Sequence, residues 1–108
     1  MITILAVGQE ASRVAEAATG HASVEVLVAR DSDEALEKLA RNRRIDAVLI
    51  TDSNDLTEVA DVIRDEDPAS PPLYAASAIG SAVGVRSLAG ESPRELIHEL
   101  IEALSPEP

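Results

Sequence analysis

The sequence alternates between short, continuous apolar runs and longer segments in which apolar residues recur at helical spacing. This alternation is typical of β-strands joined by α-helices in a parallel sheet, because strands buried on both faces carry apolar side chains at successive positions. The predicted strands cover residues 2–7, 24–29, 45–50, 73–77 and 85–88. We therefore expect an α/β fold built around one five-stranded sheet.

Four segments carry the signals with which helices begin and end. The first predicted helix ends at Gly20, and the second opens on Asp31, which can cap an acidic first turn. The third ends before Pro68. The last begins with the clearest local signal of the chain, the capping box Ser92-Pro93-Arg94-Glu95, in which proline takes the first helical position.

The connection between the fourth and fifth strands is too short for a helix. Residues 78–84 contain two glycines, whereas a crossover between parallel strands usually needs about a dozen residues. Two arrangements remain open: a single turn bridges the gap, or the fifth strand is placed differently.

Length and residue types limit the kind of core. A chain of 108 residues suits one domain, which we place at residues 1–104, followed by a frayed tail at 105–108. One Tyr, no Phe and no Trp leave Val, Ile, Leu and Ala to fill the core. The absence of Cys excludes disulfides and thiolate metal sites.

The chain is strongly acidic, with 20 Asp and Glu against 9 Lys and Arg and a net charge of -11. This balance argues against binding to nucleic acid or to anionic membranes, both of which need clustered cations. Solubility explains the acidity most simply, and a salt-loving host or a basic protein partner stays open. The opening run, residues 1–7, is too short for a signal peptide or a membrane span, so we expect a cytoplasmic location.

The run Asp46-Ala47-Val48-Leu49-Ile50-Thr51, the helix start Ser92-Pro93-Arg94-Glu95-Leu96 and the alternation of elements together resemble the receiver domains of response regulators in two-component signalling. The resemblance covers nearly the whole chain. It implies a doubly wound, flavodoxin-like (CheY-like) parallel sheet of order 2-1-3-4-5, with the fourth helix reduced or missing. It also places any functional site at the carboxyl ends of the strands.

Phosphoryl transfer to a receiver needs an acceptor carboxylate, a Mg²⁺ ion held by further carboxylates, and a cation on the phosphoryl oxygens. In this chain the acceptor position implied by the resemblance is Thr51, and the nearest carboxylate, Asp52, comes one residue late. The position of the metal-binding acidic pair reads Gly8-Gln9, followed by Glu10. The acceptor and metal positions therefore depart from the family pattern.

The remaining functional positions of the family fall on the last two strands. The hydroxyl residue that ends the fourth strand is retained as Ser77. The lysine position maps to Ala89, and Gly90 stands where a proline usually follows. The aromatic residue that moves on activation maps to Arg86. Only the small hydroxyl is retained, which predicts a receiver-like scaffold without phosphotransfer chemistry.

These residues leave three candidate functions. The first is a non-enzymatic signalling module, not phosphorylated and without a cofactor, that acts by protein–protein interaction. The alternative is a Mg²⁺-dependent phosphoacceptor that uses Asp52, with Glu10 as a metal ligand and Ser77 on a phosphoryl oxygen. In the first case Asp52 and Asp55 form an acidic turn and helix cap. A small enzyme or ligand-binding protein is the third, disfavoured because the strand-end loops lack His, Cys and Gly-rich segments.

The resemblance also implies an interaction surface, because partners of receivers read the face of the fourth helix, fifth strand and last helix. We expect the shortened connection to leave Leu73, Ala75 and the side of the last helix less covered. Such an apolar patch is either folded over by the loop or buried by another protein, and our hypothesis is self-association or docking of a partner. The residues expected near the centre of this interaction face are Ile79, Val83, Val85 and Arg86.

Overall fold

The computed structural model of the chain describes residues 2–20, 24–41, 44–51, 56–66, 71–80 and 84–104. Its strands are β1 (Ile2–Val7), β2 (Val24–Ala29), β3 (Ala47–Ile50), β4 (Leu73–Ala76) and β5 (Val85–Leu88). Its helices are α1 (Ala11–Ala18), α2 (Ser32–Arg41), α3 (Leu56–Glu66) and α4 (Pro93–Leu104). Asp52, Asp55, Val83 and the tail at 105–108 lie outside the described residues.

The five strands form one parallel sheet in the order β2-β1-β3-β4-β5. The register places Ile4 of β1 beside both Val26 of β2 and Ala47 of β3. The prediction of a doubly wound, flavodoxin-like α/β fold is therefore confirmed. Since the chain reverses direction across the sheet between β2 and β3, the crevice next to the carboxyl ends of β1 and β3 is where ligands of such sheets bind.

Helices cover both faces of the sheet, and each face has its own apolar core. Helices α1 and α4 pack on one face, where Val14 and Ile97 meet Leu49. Helices α2 and α3 pack on the other face, where Ile63 meets Val48. This arrangement explains the continuous apolar runs, because side chains on both faces of a central strand are buried.

Two of the predicted helix starts are confirmed by their capping contacts. The backbone N–H of Glu34 donates to Asp31 Oδ1 over 2.9 Å at the start of α2. At the start of α4, the N–H of Glu95 donates to Ser92 Oγ over 3.3 Å, and this hydroxyl donates to Glu95 Oε1 over 3.1 Å. Caps of this kind typically contribute about 1 kcal/mol each.

Two predicted strand boundaries were wrong by one or two residues. β3 begins at Ala47 rather than Ile45. Asp46 still donates its backbone N–H to the Thr3 carbonyl over 2.7 Å, but the N–H of Thr3 is accepted by the side chain of Asp46, at Oδ2 over 2.9 Å, and not by a backbone carbonyl. β4 ends at Ala76, and Ser77 belongs instead to a short 3₁₀ turn, Ser77–Ile79.

In the described part of the connection from β4 to β5, this 3₁₀ turn stands where the fourth helix would be, which confirms that the fourth helix is reduced or missing. The expectation that Leu73 and Ala75 are less covered was wrong: their side chains are 3% and 0% exposed. The physical reason is that α3 extends over this part of the sheet. A Cβ at Gly84, just before β5, would lie 3.1 Å from Arg64 Nη1 of α3.

Within the described ranges, no helix is both long and apolar enough to cross a membrane.

Candidate functional site

A crevice of about 270 Å³ lies at the carboxyl ends of the strands. Its floor is apolar and includes Ile50 and Ala76, the last residues of β3 and β4. Charged side chains stand at its rim, namely Glu10, Arg13 and Glu91. We call this the carboxyl-end crevice. It occupies the position in which the receiver resemblance implies phosphoryl transfer.

Thr51, at the acceptor position, lines this crevice, but its hydroxyl is bound to the backbone of β1. Its Oγ1 donates to the carbonyl of Val7 over 2.9 Å, and its N–H donates to the same oxygen over 2.8 Å. The hydroxyl has only one proton, so towards the crevice Oγ1 offers lone pairs alone. The side chain thus extends the pairing of β1 with β3 by one residue.

Glu10, the proposed metal ligand of the alternative, also lines the crevice. Its Oε2 lies 3.0 Å from Nε of Arg13, and both side chains are largely exposed. Mg²⁺ requires near-octahedral coordination by oxygen atoms, usually from one or two carboxylates together with several waters and substrate phosphates. The described ranges contain no group of three or more His, Asp or Glu residues that could hold a metal ion. Among the described residues, the carboxylates that line the crevice are Glu10 and Glu91, and Asp52 lies outside these residues.

Of the other predicted site residues that the structure describes, Ile79 lines this crevice, and Ser77, Ala89, Val85 and Arg86 do not. Ser77 is exposed in the 3₁₀ turn. Ala89 lines a second, larger cavity of about 860 Å³ between α1 and α4, which we call the α1–α4 cavity. On β5, Val85 is half-buried and Arg86 is exposed.

The loop between β5 and α4 is held by Glu99, a residue of α4. Its carboxylate accepts the backbone N–H of Ala89 over 3.1 Å at Oε1 and that of Gly90 over 2.6 Å at Oε2. Hydrogen bonds to a charged group are stronger than those between neutral groups. Ala89 stands at the position where the receiver resemblance implies a lysine. Its backbone N–H is bound to the carboxylate of Glu99 in α4.

Gly90 is required by the close approach of α4 to this loop. A Cβ at position 90 would lie 2.6 Å from Glu99 Oε2, 2.8 Å from Glu95 Cβ and 3.1 Å from the carbonyl carbon of Glu95. The first of these atoms ends a side chain, but the other two belong to the fixed first turns of α4. A proline at position 90 would clash with Glu95 in the same way, and it would have no N–H to donate to Glu99.

Sequence reasoning missed Glu99 and Arg13. The contacts of Glu99 span nine and ten residues along the chain, so no local motif indicates them. The one available signal was Gly90, which keeps an N–H at the position where the family usually has proline. The pairing of Arg13 with Glu10 has the i, i+3 spacing typical of neighbours on a helix surface and was open to prediction.

Comparison of the sequence with protein-family models and with curated proteins gives no match. The resemblance to receivers therefore rests on the residues quoted from the sequence, and the fold on the order of the strands in the sheet.

Proposed function

We propose that this chain is a cytoplasmic, receiver-like signalling module of the two-component type that is not phosphorylated and acts by protein–protein interaction. It is not an enzyme and needs no cofactor. The observation that carries the proposal is the state of Thr51, whose Oγ1 stands at the acceptor position and is bound to the Val7 carbonyl. A hydroxyl becomes a phosphoryl acceptor when a base takes its proton. Here the proton is held by a backbone carbonyl, which is not a base, and the transfer would also need Mg²⁺ and a cation on the phosphoryl oxygens.

The fixed loop after β5 supports the same proposal. The lysine that the resemblance implies for a phosphorylation switch falls in this loop, at Ala89. Here the N–H groups of Ala89 and Gly90 are already bound to Glu99. A change of position would break both hydrogen bonds without a phosphoryl group to replace them. These two hydrogen bonds favour a single position of the loop, which supports a module that phosphorylation does not switch.

The interaction face lies at the edge of the sheet where β5 has no outer neighbour. Because Leu73 and Ala75 are buried by the chain itself, an uncovered apolar patch no longer supports docking there. Two other observations support docking at this face. An edge strand offers unpaired backbone donors and acceptors. Arg86 is exposed on this strand and forms no ion pair within the described ranges, although the chain carries a net charge of -11.

We expect the interaction face to bind an acidic protein surface, and a second copy of this acidic chain is the first partner to test. Light scattering at increasing concentration should show self-association that Arg86→Glu abolishes, because the reversed charge repels an acidic partner. Arg44→Glu is the matched control, since Arg44 is also exposed and without an ion pair in the described part of the chain. A chain that stays monomeric at high concentration and recovers no partner in affinity purification contradicts this part of the proposal.

A further inference from the structure

We propose that the α1–α4 cavity is a docking site for a basic segment of a protein partner, that is, a stretch of chain carrying Lys or Arg. The cavity lies on the α1 side of the sheet. Ile79 and Val85 of the interaction face pack with the core on the α3 side instead. The two surfaces are therefore separate, and this inference does not rest on the proposed function.

The size and shape of the cavity suit a peptide segment. Its volume is about 860 Å³, which at about 30 Å³ for each water-sized atom is room for roughly thirty atoms. That is enough for two or three long side chains. Gly20 lines it and has nothing within 4 Å of the position that a Cβ would take, so the backbone of an incoming segment meets little steric hindrance at this residue.

The charge of the cavity favours a basic occupant. Among the described residues, Glu16 of α1 lines it from one side, and Glu95 and Glu99 of α4 line it from the other, together with Arg94. Three carboxylates against one guanidinium make this lining acidic. The net charge of -11 adds an attractive field for a basic partner and repels nucleic acid.

Glu16 is the carboxylate best placed to bind a cation. Glu95 accepts a hydrogen bond from Ser92, and Glu99 accepts two from the loop after β5. The Glu16 carboxylate, by contrast, has no hydrogen bond or ion pair to any described residue. A Lys or Arg side chain in the cavity would therefore gain an ion pair without displacing an internal contact.

The test is a titration of the isotope-labelled chain with N-acetyl-tetralysine amide at low ionic strength, followed by NMR amide shifts. We expect shifts concentrated at residues 16–20 and 89–99. Glu16→Gln should weaken binding about three- to fivefold, which is the range of an exposed ion pair. Glu58→Gln is the matched control, because Glu58 is exposed on α3, on the other face of the sheet, and also lacks a partner among the described residues.

The control distinguishes docking from general attraction. A loss confined to Glu16→Gln supports the docking site. The proposal would be wrong if Glu16→Gln and Glu58→Gln lowered the affinity for the peptide equally, or if the amide shifts were spread over all acidic helices. Either result would show that the peptide is attracted only by the net charge of the chain. Absence of any shift at saturating peptide would also overturn it. Both substitutions are isosteric and on the surface, so both variants are expected to fold.

Discussion

Replacing Gly90 by alanine is expected to lower the free energy of unfolding by about 2–3 kcal/mol, because the added methyl group has no room beside α4. Its Cβ would lie 2.8 Å from Glu95 Cβ and 3.1 Å from the Glu95 carbonyl carbon, so either the helix or the loop must shift. A shift of the loop also weakens the hydrogen bond of Gly90 to Glu99. For a domain of this size the melting temperature should fall by about 10 °C or more.

Gly20→Ala is the matched control for this substitution. A Cβ at Gly20 would have nothing within 4 Å, and Gly20 is not among the glycines with positive φ. Its replacement should leave stability unchanged or raise it by up to about 1 kcal/mol through a less flexible unfolded chain. Urea denaturation of both variants measures the difference. Equal stabilities of the two variants would show that α4 does not approach the loop as closely as described.

Glu99→Ala is expected to cost about 2 kcal/mol of stability, since it removes the charged acceptor of two backbone hydrogen bonds. The amide hydrogens of Ala89 and Gly90 should exchange with solvent faster in this variant, because their protection depends on the Glu99 carboxylate. Glu99→Gln keeps one oxygen acceptor but turns an N–H₂ donor towards the loop. It should lie between the wild type and the alanine variant.

Glu102→Ala is the control for Glu99→Ala, because it makes the same substitution one turn further along α4. Among the described residues, Glu102 pairs only with His98, over 3.3 Å, and both side chains are largely exposed. Such a pair contributes little, so the stability should change by less than about 0.5 kcal/mol. If Glu99→Ala behaves like Glu102→Ala in both stability and amide exchange, the anchoring of the loop by Glu99 is wrong.

The fold was predictable because its signals are local. β1, β2 and β5 were predicted to the residue, since continuous apolar runs bounded by polar residues mark buried strands. The cap at Asp31 and the capping box at Ser92 were also read correctly, because each contact joins residues three apart in the sequence. The start of β3 was missed because the Asp46 carboxylate reaches back to Thr3, across more than forty residues.

The candidate site was less predictable because it depends on contacts between distant elements. The sequence shows that Thr51 and Ala89 replace the acceptor carboxylate and the lysine that the resemblance implies. It does not show which hydrogen bonds these two residues form. Thr51 binds the carbonyl of Val7 on another strand, and Ala89 donates to Glu99 on a helix. The burial of Leu73 followed from the placement of α3, which no local pattern of the sequence indicates.

The central claim is that this chain keeps a receiver-like scaffold without its phosphotransfer chemistry. Intact-mass spectrometry after incubation with Mg²⁺ and acetyl phosphate tests it most directly, on the wild type and on the Asp52→Ala and Thr51→Val variants. We predict that all three masses stay unchanged. A wild-type gain of one phosphoryl group that disappears in Asp52→Ala would establish the Mg²⁺-dependent alternative, and one that disappears in Thr51→Val would place the acceptor at Thr51. Either result would contradict the account.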